Sequence, residues 1–473
     1  MGLVLPLGMR LLVDDLARAG RRVGAAYLVN TVGSVLGSLL AGFALIPLVG
    51  LTRALLVLAA IQVALGGLFL FRAELSPARR VRLVALSAAA AVAGVVVASE
   101  LLRGPNPFDP GLAPGGPGAP SVEAHHDGIG ASISVVRYPT GDKTLRIDGF
   151  EASSDKVDAD YMPMMTHIPM LLHPDPRRLL VICFGTGATA GAGLFYPGTS
   201  IDAVDINRTV FAFAPYFLAV NHGVARDPRA RLVVDDGRNF LLTTGERYDV
   251  ITSEPMPPYH AGVVNLYSKE YYERARDRLR PGGFVVQWLP MHLLTVEDSL
   301  RILRTVQDVF PETTLWLQSN TGVIVARRDE PVRIDIARVT AAYRGPLRDD
   351  LERLGFSAPL DFARLYALGP DEIRAATSAI RAVTDDDPSL EFHRFRHPNQ
   401  EFRGPYNLEH ARMMSIIYRR LGEGGAPLTR ATAGETEEIA TWRQQKSQRG
   451  LGDVRRYWGL DARAPLANPR PGG

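Results

Sequence analysis

Cysteine and lysine are scarce in this 473-residue chain, and each shortage excludes something. A single cysteine, Cys183, rules out a disulfide framework within the chain and any cysteine-based metal site. Its apolar surroundings in sequence suit a small buried hydrophobe. Lysine is confined to Lys143, Lys156, Lys269 and Lys446, so arginine carries nearly all the positive charge, which we read as compositional bias. The net charge is only +3, and no basic stripe with interleaved aromatics appears, which argues against nucleic acid as a partner.

Long hydrophobic runs are abundant, but only near the N-terminus. Val23–Gly50 and Ala54–Phe71 are long and uncharged, and Val84–Ala98 is a shorter Ala/Val-rich stretch. They predict about three membrane spans, each needing ~20 apolar residues, and hence a multi-pass protein in contact with lipid. None has the position or length of a cleavable leader. Gly33 and Gly37, with Ser34, Ser38 and Gly42, supply the small-residue spacing with which helices pack in lipid. The opening residues look like the tail of a further helix. Arg10, Arg18, Arg21 and Arg22 precede the first span, and Arg72, Arg79, Arg80 and Arg82 the third. That distribution puts the N-terminus inside and, with three crossings, the remainder outside, whereas a nucleoside cofactor argues for inside.

Residues 104–120 are a Pro/Gly linker that holds neither a helix nor a central strand. Beyond it, Ala131–Arg137 and Lys143–Ile147 predict a hairpin across Thr140, Gly141 and Asp142. His125 and His126 stand before it and read as surface. Met162–Leu172 predicts an apolar helix with His167 as a satisfied core or helix-end histidine.

The stretch Arg178–Asn207 carries the chemistry. An apolar run, Leu179–Phe184, breaks into Gly185-Thr186-Gly187, a small-residue helix follows, and about twenty residues later a second apolar run ends on Asp205. Glycines allow close backbone approach to a ligand, and the helix start offers unpaired N–H groups. An acid closing the second strand can accept ribose hydroxyls. No Gly-Lys-Ser/Thr follows the turn, which argues against an ATPase of the Walker type. The alternation continues: strands Arg231–Asp235, Tyr248–Ser253 and Phe284–Trp288, helices from Arg238, over Tyr271–Leu279 and over Val296–Val309, and a closing hairpin of Thr314–Leu317 with Val323–Arg327. This predicts an α/β, doubly wound, mainly parallel Rossmann-like sheet over residues 176–330. Gly185, Asp205, Asp236 with Gly237, and Glu254 all fall at C-terminal strand ends, where such sheets hold ligands.

Residues 331–421 read as a helical extension, and the tail 422–473 shows no core pattern and reads as disordered. Three aspartates within Thr384–Phe392 read as a solvated turn or helix cap rather than a cation site.

Several stretches together resemble the spermidine/spermine synthase family, the polyamine aminopropyltransferases: MMTHIPMLLHPDPRRLLVI, the glycine turn, VDIN, DDGRNFL, YDVITSEP, LYSKEYYERARDRLRPGG and FVVQW. The likeness covers about Ala131–Arg327. YLVNTVGSVLGSLLAGFALIPLVG and TDDDPSLEF resemble the branch of that family fused to transporter-like helices. The fold it implies is of methyltransferase type. Gly185 and Gly187 would line a site for decarboxylated S-adenosylmethionine, or for S-adenosylmethionine itself. Asp205 would hold the ribose, Asp236 and Gly237 the adenine, and Glu254 would stand where the family has its proton-accepting aspartate. A small amine is the implied acceptor, a homodimer the implied assembly, and no metal is expected.

Departures from the family pattern concern the amine. Thr186 replaces an acid in the glycine turn, Tyr161-Met162-Pro163 replaces a Tyr-His-Glu run, and Pro257 replaces a second aspartate. A polyamine site without those groups is electrostatically weak. Tyr259, His260 and Gln287 are candidates for a different acceptor site, although loop and packing roles suit them better. Besides aminopropyl transfer, two readings stay open: a methyltransferase using intact S-adenosylmethionine, and a non-catalytic nucleoside-binding module linked to the membrane domain.

Overall fold

The structure, a computed structural model, describes residues 18–72, 119–128, 130–156, 159–318, 321–393, 407–423 and 429–458, with scattered positions between 76 and 94. Two compact units emerge: Met1–Gly141 with Arg146–Glu151, and Asp142–Leu145 with Ala152–Gly473.

In the first unit the helix Ala19–Leu40 continues through a π-helical segment, Ala41–Leu45, into Ile46–Val49. Among the described residues, Ala19–Val49 is the one helix long and apolar enough to cross a bilayer. The next helix is Leu51–Arg72, but its apolar portion, Arg53–Leu68, is short. At 1.5 Å per residue that portion spans roughly 24 Å, below the ~30 Å hydrocarbon core. One candidate crossing therefore stands against the three expected. The opening residues, most of Val84–Ala98 and the Pro/Gly linker lie outside the described residues. The unit also contains an antiparallel hairpin of β1 (Ser121–Asp127) and β2 (Ser132–Arg137). His125 and His126 thus lie within a strand, not ahead of one, and His125 Nε2 is 3.0 Å from Asp127 Oδ1.

β3 (Lys143–Ile147) and β4 (Phe150–Ser154) lead towards the fully buried helix Tyr161–Leu172. The strands of the main sheet are β5 (Arg178–Ile182), β6 (Ser200–Asp205), β7 (Ala230–Val234), β8 (Tyr248–Ser253), β9 (Leu279–Leu289), β10 (Thr314–Gln318) and β11 (Thr321–Arg327). Their order is β10-β11-β9-β8-β5-β6-β7. The run β9-β8-β5-β6-β7 is parallel, while β10 and β11 run antiparallel. This is the doubly wound, Rossmann-like sheet expected from the alternation, of the methyltransferase type that the resemblance implies. The chain builds β5, β6 and β7 outwards in one direction, then returns to lay β8 and β9 on the other side of β5. Strand order therefore reverses between β5 and β8, the place where such sheets open a crevice for ligands.

Side-chain caps start the helices on this sheet. Asp236 accepts from the N–H groups of Arg238 and Asn239, Ser268 from Tyr271, and Thr295 from Asp298. One core, containing Leu180, Ile182, Val204, Ile251 and Val285 with the rings of Tyr267, Tyr271 and Tyr272, packs beneath the helices.

The C-terminal part departs from the sequence reading twice. A short strand, Tyr366–Leu368, joins the sheet beside β10, so the region after Pro331 is not a purely helical extension. The tail is not wholly disordered either: Ala433–Trp458 is a 26-residue helix. Its buried residues are Ile439, Arg443, Ser447, Gly450 and Val454. Most of these are small or polar, so the contact face carries no apolar periodicity that a sequence reading could detect. Ser447 donates to the Tyr418 carbonyl at 2.6 Å, and Arg443 Nη1 to the Tyr366 carbonyl at 3.0 Å.

Candidate functional site

Backbone bonds fasten the strand ends around the switch point. The Cys183 N–H donates to the Val204 carbonyl at 2.9 Å, Glu254 N–H to Ile182 at 3.2 Å, and Asp235 N–H to Asp205 at 3.1 Å. Tips of β5, β6, β7 and β8 are thereby linked in one row. Cys183, at the centre, has a φ of 68°, a sterically costly conformation for a side chain with a Cβ. Burial pushes its thiol well above the usual range, and the charges of Asp205, Glu254 and Asp236 push it further. The charges of three strand-tip carboxylates thus act on one residue.

The glycine turn closes with Gly187 N–H donating to the Phe184 carbonyl at 2.8 Å. A Cβ at Gly187 would lie 2.5 Å from the Phe184 ring, and φ there is +86°. Only glycine fits. A Cβ at Gly237 would come within 2.3 Å of Ile182 Cγ2, so the helix opened by Asp236 approaches β5 through this residue. Two residues with no sequence signal support the turn. Asn221 Nδ2 donates to the Thr186 carbonyl at 2.9 Å, and Thr186 N–H donates to Ser153 Oγ at 3.2 Å.

Asp205 reaches back over the turn. Oδ2 accepts from Phe184 N–H at 3.0 Å and Oδ1 from Asn207 N–H at 2.9 Å. Two donors leave about two of a carboxylate's roughly four lone-pair positions, enough for ligand hydroxyls. Burial nevertheless outweighs these bonds and raises the Asp205 pKa to about 6.

Glu254 follows β8 directly. Oε1 accepts a hydrogen bond from the Tyr161 hydroxyl at 2.7 Å, and Oε2 lies 3.4 Å from the Thr189 hydroxyl. Burial lifts its pKa to about 7, against the lowering effect of both hydrogen bonds. A carboxyl group poised there can exchange a proton with a bound amine near neutral pH. Tyr161 also stacks on Trp288, with ring centroids 6.0 Å apart and planes 11° apart, and Trp288 lies 6.1 Å from the His292 ring. Burial and neighbouring His410 lower the His292 pKa to about 4, so the ring is neutral at physiological pH. Beyond Glu254 the wall thus continues as rings.

Other sequence candidates are placed elsewhere. Gln287 is buried on β9, and alternation along the strand turns it away from the side where Trp288 meets Tyr161. Tyr259 stacks against His393 and lies beside His260. His167 is a satisfied core histidine, with Nδ1 3.0 Å from the Tyr196 hydroxyl and Nε2 3.0 Å from Asp350 Oδ2. Within the aspartate run, Asp385 pairs with Arg238 and Asp387 with Arg301.

The family model for the spermine/spermidine synthase domain matches residues 159–319. A polyamine aminopropyltransferase of Aeropyrum pernix is 34% identical over 213 residues, covering 43% of this chain and 68% of that one. The chain belongs to the polyamine aminopropyltransferase family. It is a family of transferases, and a Bacillus subtilis polyamine aminopropyltransferase matches at 27% identity over 46% of this chain and 81% of its own. One from Nitrosomonas europaea matches at 30% over 39% and 58%. Among solved structures, the Thermotoga maritima spermidine synthase aligns over 55% of this chain and 88% of its own, at 20% identity with a TM-score of 0.46. The family match begins at the residues just ahead of Tyr161 and ends beyond β10, so it takes in the glycine turn, the strand-tip acids and the ring wall. Resemblance had pointed to Glu254; nothing in the sequence marked Tyr161 and Thr189 as its partners.

Proposed function

We propose that this chain transfers an aminopropyl group from decarboxylated S-adenosylmethionine to a small amine, with Glu254 accepting the amine proton. In this reading the amine nitrogen forms a bond to the propyl carbon beside the sulfonium. The carbon–sulfur bond breaks with its electron pair going to sulfur, leaving methylthioadenosine, and the ammonium proton passes to Glu254. The observation that carries the reading is the Glu254 carboxyl, raised to about 7, at the tip of β8 next to the glycine turn. Buried opposite charge attracts a sulfonium strongly in a partly dry site.

The supporting parts follow from position. Gly185 and Gly187 allow the nucleoside to approach the backbone, Asp205 accepts a ribose hydroxyl, and Asp236 with Gly237 borders the adenine. No metal has a role in this scheme. The acceptor lies against Tyr161, Trp288 and His292, a wall of rings that suits an amine other than putrescine. The helix Ala19–Val49 anchors the chain in a membrane, and a homodimer is the expected assembly.

Calorimetry on the full chain in detergent tests the proposal with three ligands: decarboxylated S-adenosylmethionine, S-adenosylmethionine and methylthioadenosine. Tighter binding of the decarboxylated form is expected. Preference for the intact form would favour a methyltransferase, and binding of none would remove the enzyme reading.

A further inference from the structure

The segment 383–393, which includes the aspartate run, has no part in the proposed chemistry, yet it bonds both to the helix that Asp236 caps and to the loop that leaves Glu254. At one end Arg238 Nη1 is 2.6 Å from Asp385 Oδ1, Nη2 meets the other carboxylate oxygen, and Nη1 reaches Ser268 Oγ at 3.4 Å. Arg238 belongs to the turn capped by Asp236, so this fork bears directly on the rim assigned to adenine. The backbone joins in: Lys269 N–H donates to the Val383 carbonyl at 2.9 Å, and Asp385 N–H to Glu270 Oε2 at 3.0 Å. Val383 N–H in turn donates to Thr305 Oγ1 at 2.8 Å, on the helix Val296–Val309.

The middle of the segment is held by a cation with little access to water. Arg301, whose side chain is 7% exposed, donates to Asp387 Oδ2 at 2.7 Å and also to Ser389. A charge so buried is stable only when paired, which fixes the segment to that helix. At the far end Glu391 Oε1 accepts from Gly262 N–H at 3.3 Å. His393 bonds to buried Asp298 and stacks on Tyr259, with centroids 5.7 Å apart and planes at 26°. Gly262 and Tyr259 belong to the loop 255–267 that leaves Glu254.

We propose that 383–393 is a strap positioning both substrates of the proposed transferase: Asp385 sets the adenine rim through Arg238, and Glu391 sets the loop behind Glu254. The inference rests on that proposed reaction for its ligands and on the bonds above for its geometry. A solvated turn would spend its carboxylates on water; here two of the three aspartates hold arginines from other elements, and Asp386, which is exposed and makes no such pair, serves as a control.

The test uses the full chain in detergent and methylthioadenosine as the probe. Asp385→Asn should weaken its binding about fivefold, the order expected for losing a charge-assisted fork, while Asp386→Asn leaves it unchanged. Exchanging the partners, Arg238→Asp with Asp385→Arg, should restore most of the loss. Glu391→Gln should speed hydrogen exchange across 255–267 without changing methylthioadenosine affinity. Equal affinity in wild type and Asp385→Asn, or loop exchange unaltered in Glu391→Gln, would overturn the strap while leaving the proposed reaction standing. Failure of the wild type to bind the probe would instead overturn that reaction, and the strap's purpose with it.

Discussion

The Tyr161 hydroxyl donates a hydrogen bond to Glu254 Oε1 at 2.7 Å, tying the first turn of a buried helix to the tip of β8. The bond stabilises the ionised carboxylate and opposes the burial that raises its pKa.

Tyr161→Phe keeps the ring stacked on Trp288 and deletes only that donor. Glu254 should then titrate higher still, and the acidic limb of kcat/KM should move to higher pH by up to about one unit. A pH–rate profile of the variant checks this, and an unmoved limb would mean that the tyrosine acts through packing alone.

Wild-type activity should itself depend on pH through the same carboxyl. In the free enzyme Glu254 is half-protonated at about pH 7, so kcat/KM should rise through that point. A bound sulfonium favours the charged form, which puts the corresponding limb of kcat at lower pH. Stability should run the other way. The folded Glu254 pKa of about 7 lies above its ordinary 4.5, and Asp205 at about 6 lies above 3.8. Folded protein therefore holds more protons than unfolded protein in those windows, and the melting temperature should fall as pH rises through them. In Glu254→Gln that fall should be smaller, as thermal scans between pH 4 and pH 8 would measure.

The parallel core of this fold was legible because each buried strand is a short apolar run broken by glycine, aspartate or proline. Tyr248–Ser253 and Val296–Val309 were read to the residue, and the acids at strand tips followed from the same pattern. What escaped had no periodic signal. β1 and β4 are short, part-polar strands, and Tyr366–Leu368 is three residues between helices whose partner, β10, lies far back along the chain. The helix Ala433–Trp458 escaped because its contacts use glycine, serine and arginine. Within the site, the acids were readable but their partners were not: Tyr161 to Glu254 spans 93 residues, and Asn221 to Thr186 spans 35. Cys183 read as a plain buried hydrophobe, whereas the fold sets it in a strained conformation amid three carboxylates.

Packing behind the glycine turn gives a further prediction. A Cβ at Gly191 would sit 2.4 Å from the Asn221 backbone oxygen and 2.7 Å from its carbonyl carbon. Backbone cannot swing aside as a side chain can, and Asn221 also holds the Thr186 carbonyl. Gly191→Ala should destabilise the protein by about 1–3 kcal/mol and weaken methylthioadenosine binding with it. Denaturant titration and calorimetry on the same sample measure both; a stable variant with unchanged affinity would show that this helix is free to move away from Asn221.

In the proposed reaction the strand tips converge on a nucleoside sulfonium, and Glu254 takes the proton. The most direct measurement is methylthioadenosine release by full-length Glu254→Gln, supplied with decarboxylated S-adenosylmethionine and an amine extract on which the wild type turns over. Release should fall by about a hundredfold or more while binding of methylthioadenosine is retained. Release at the wild-type rate by that variant would contradict the proposed reaction.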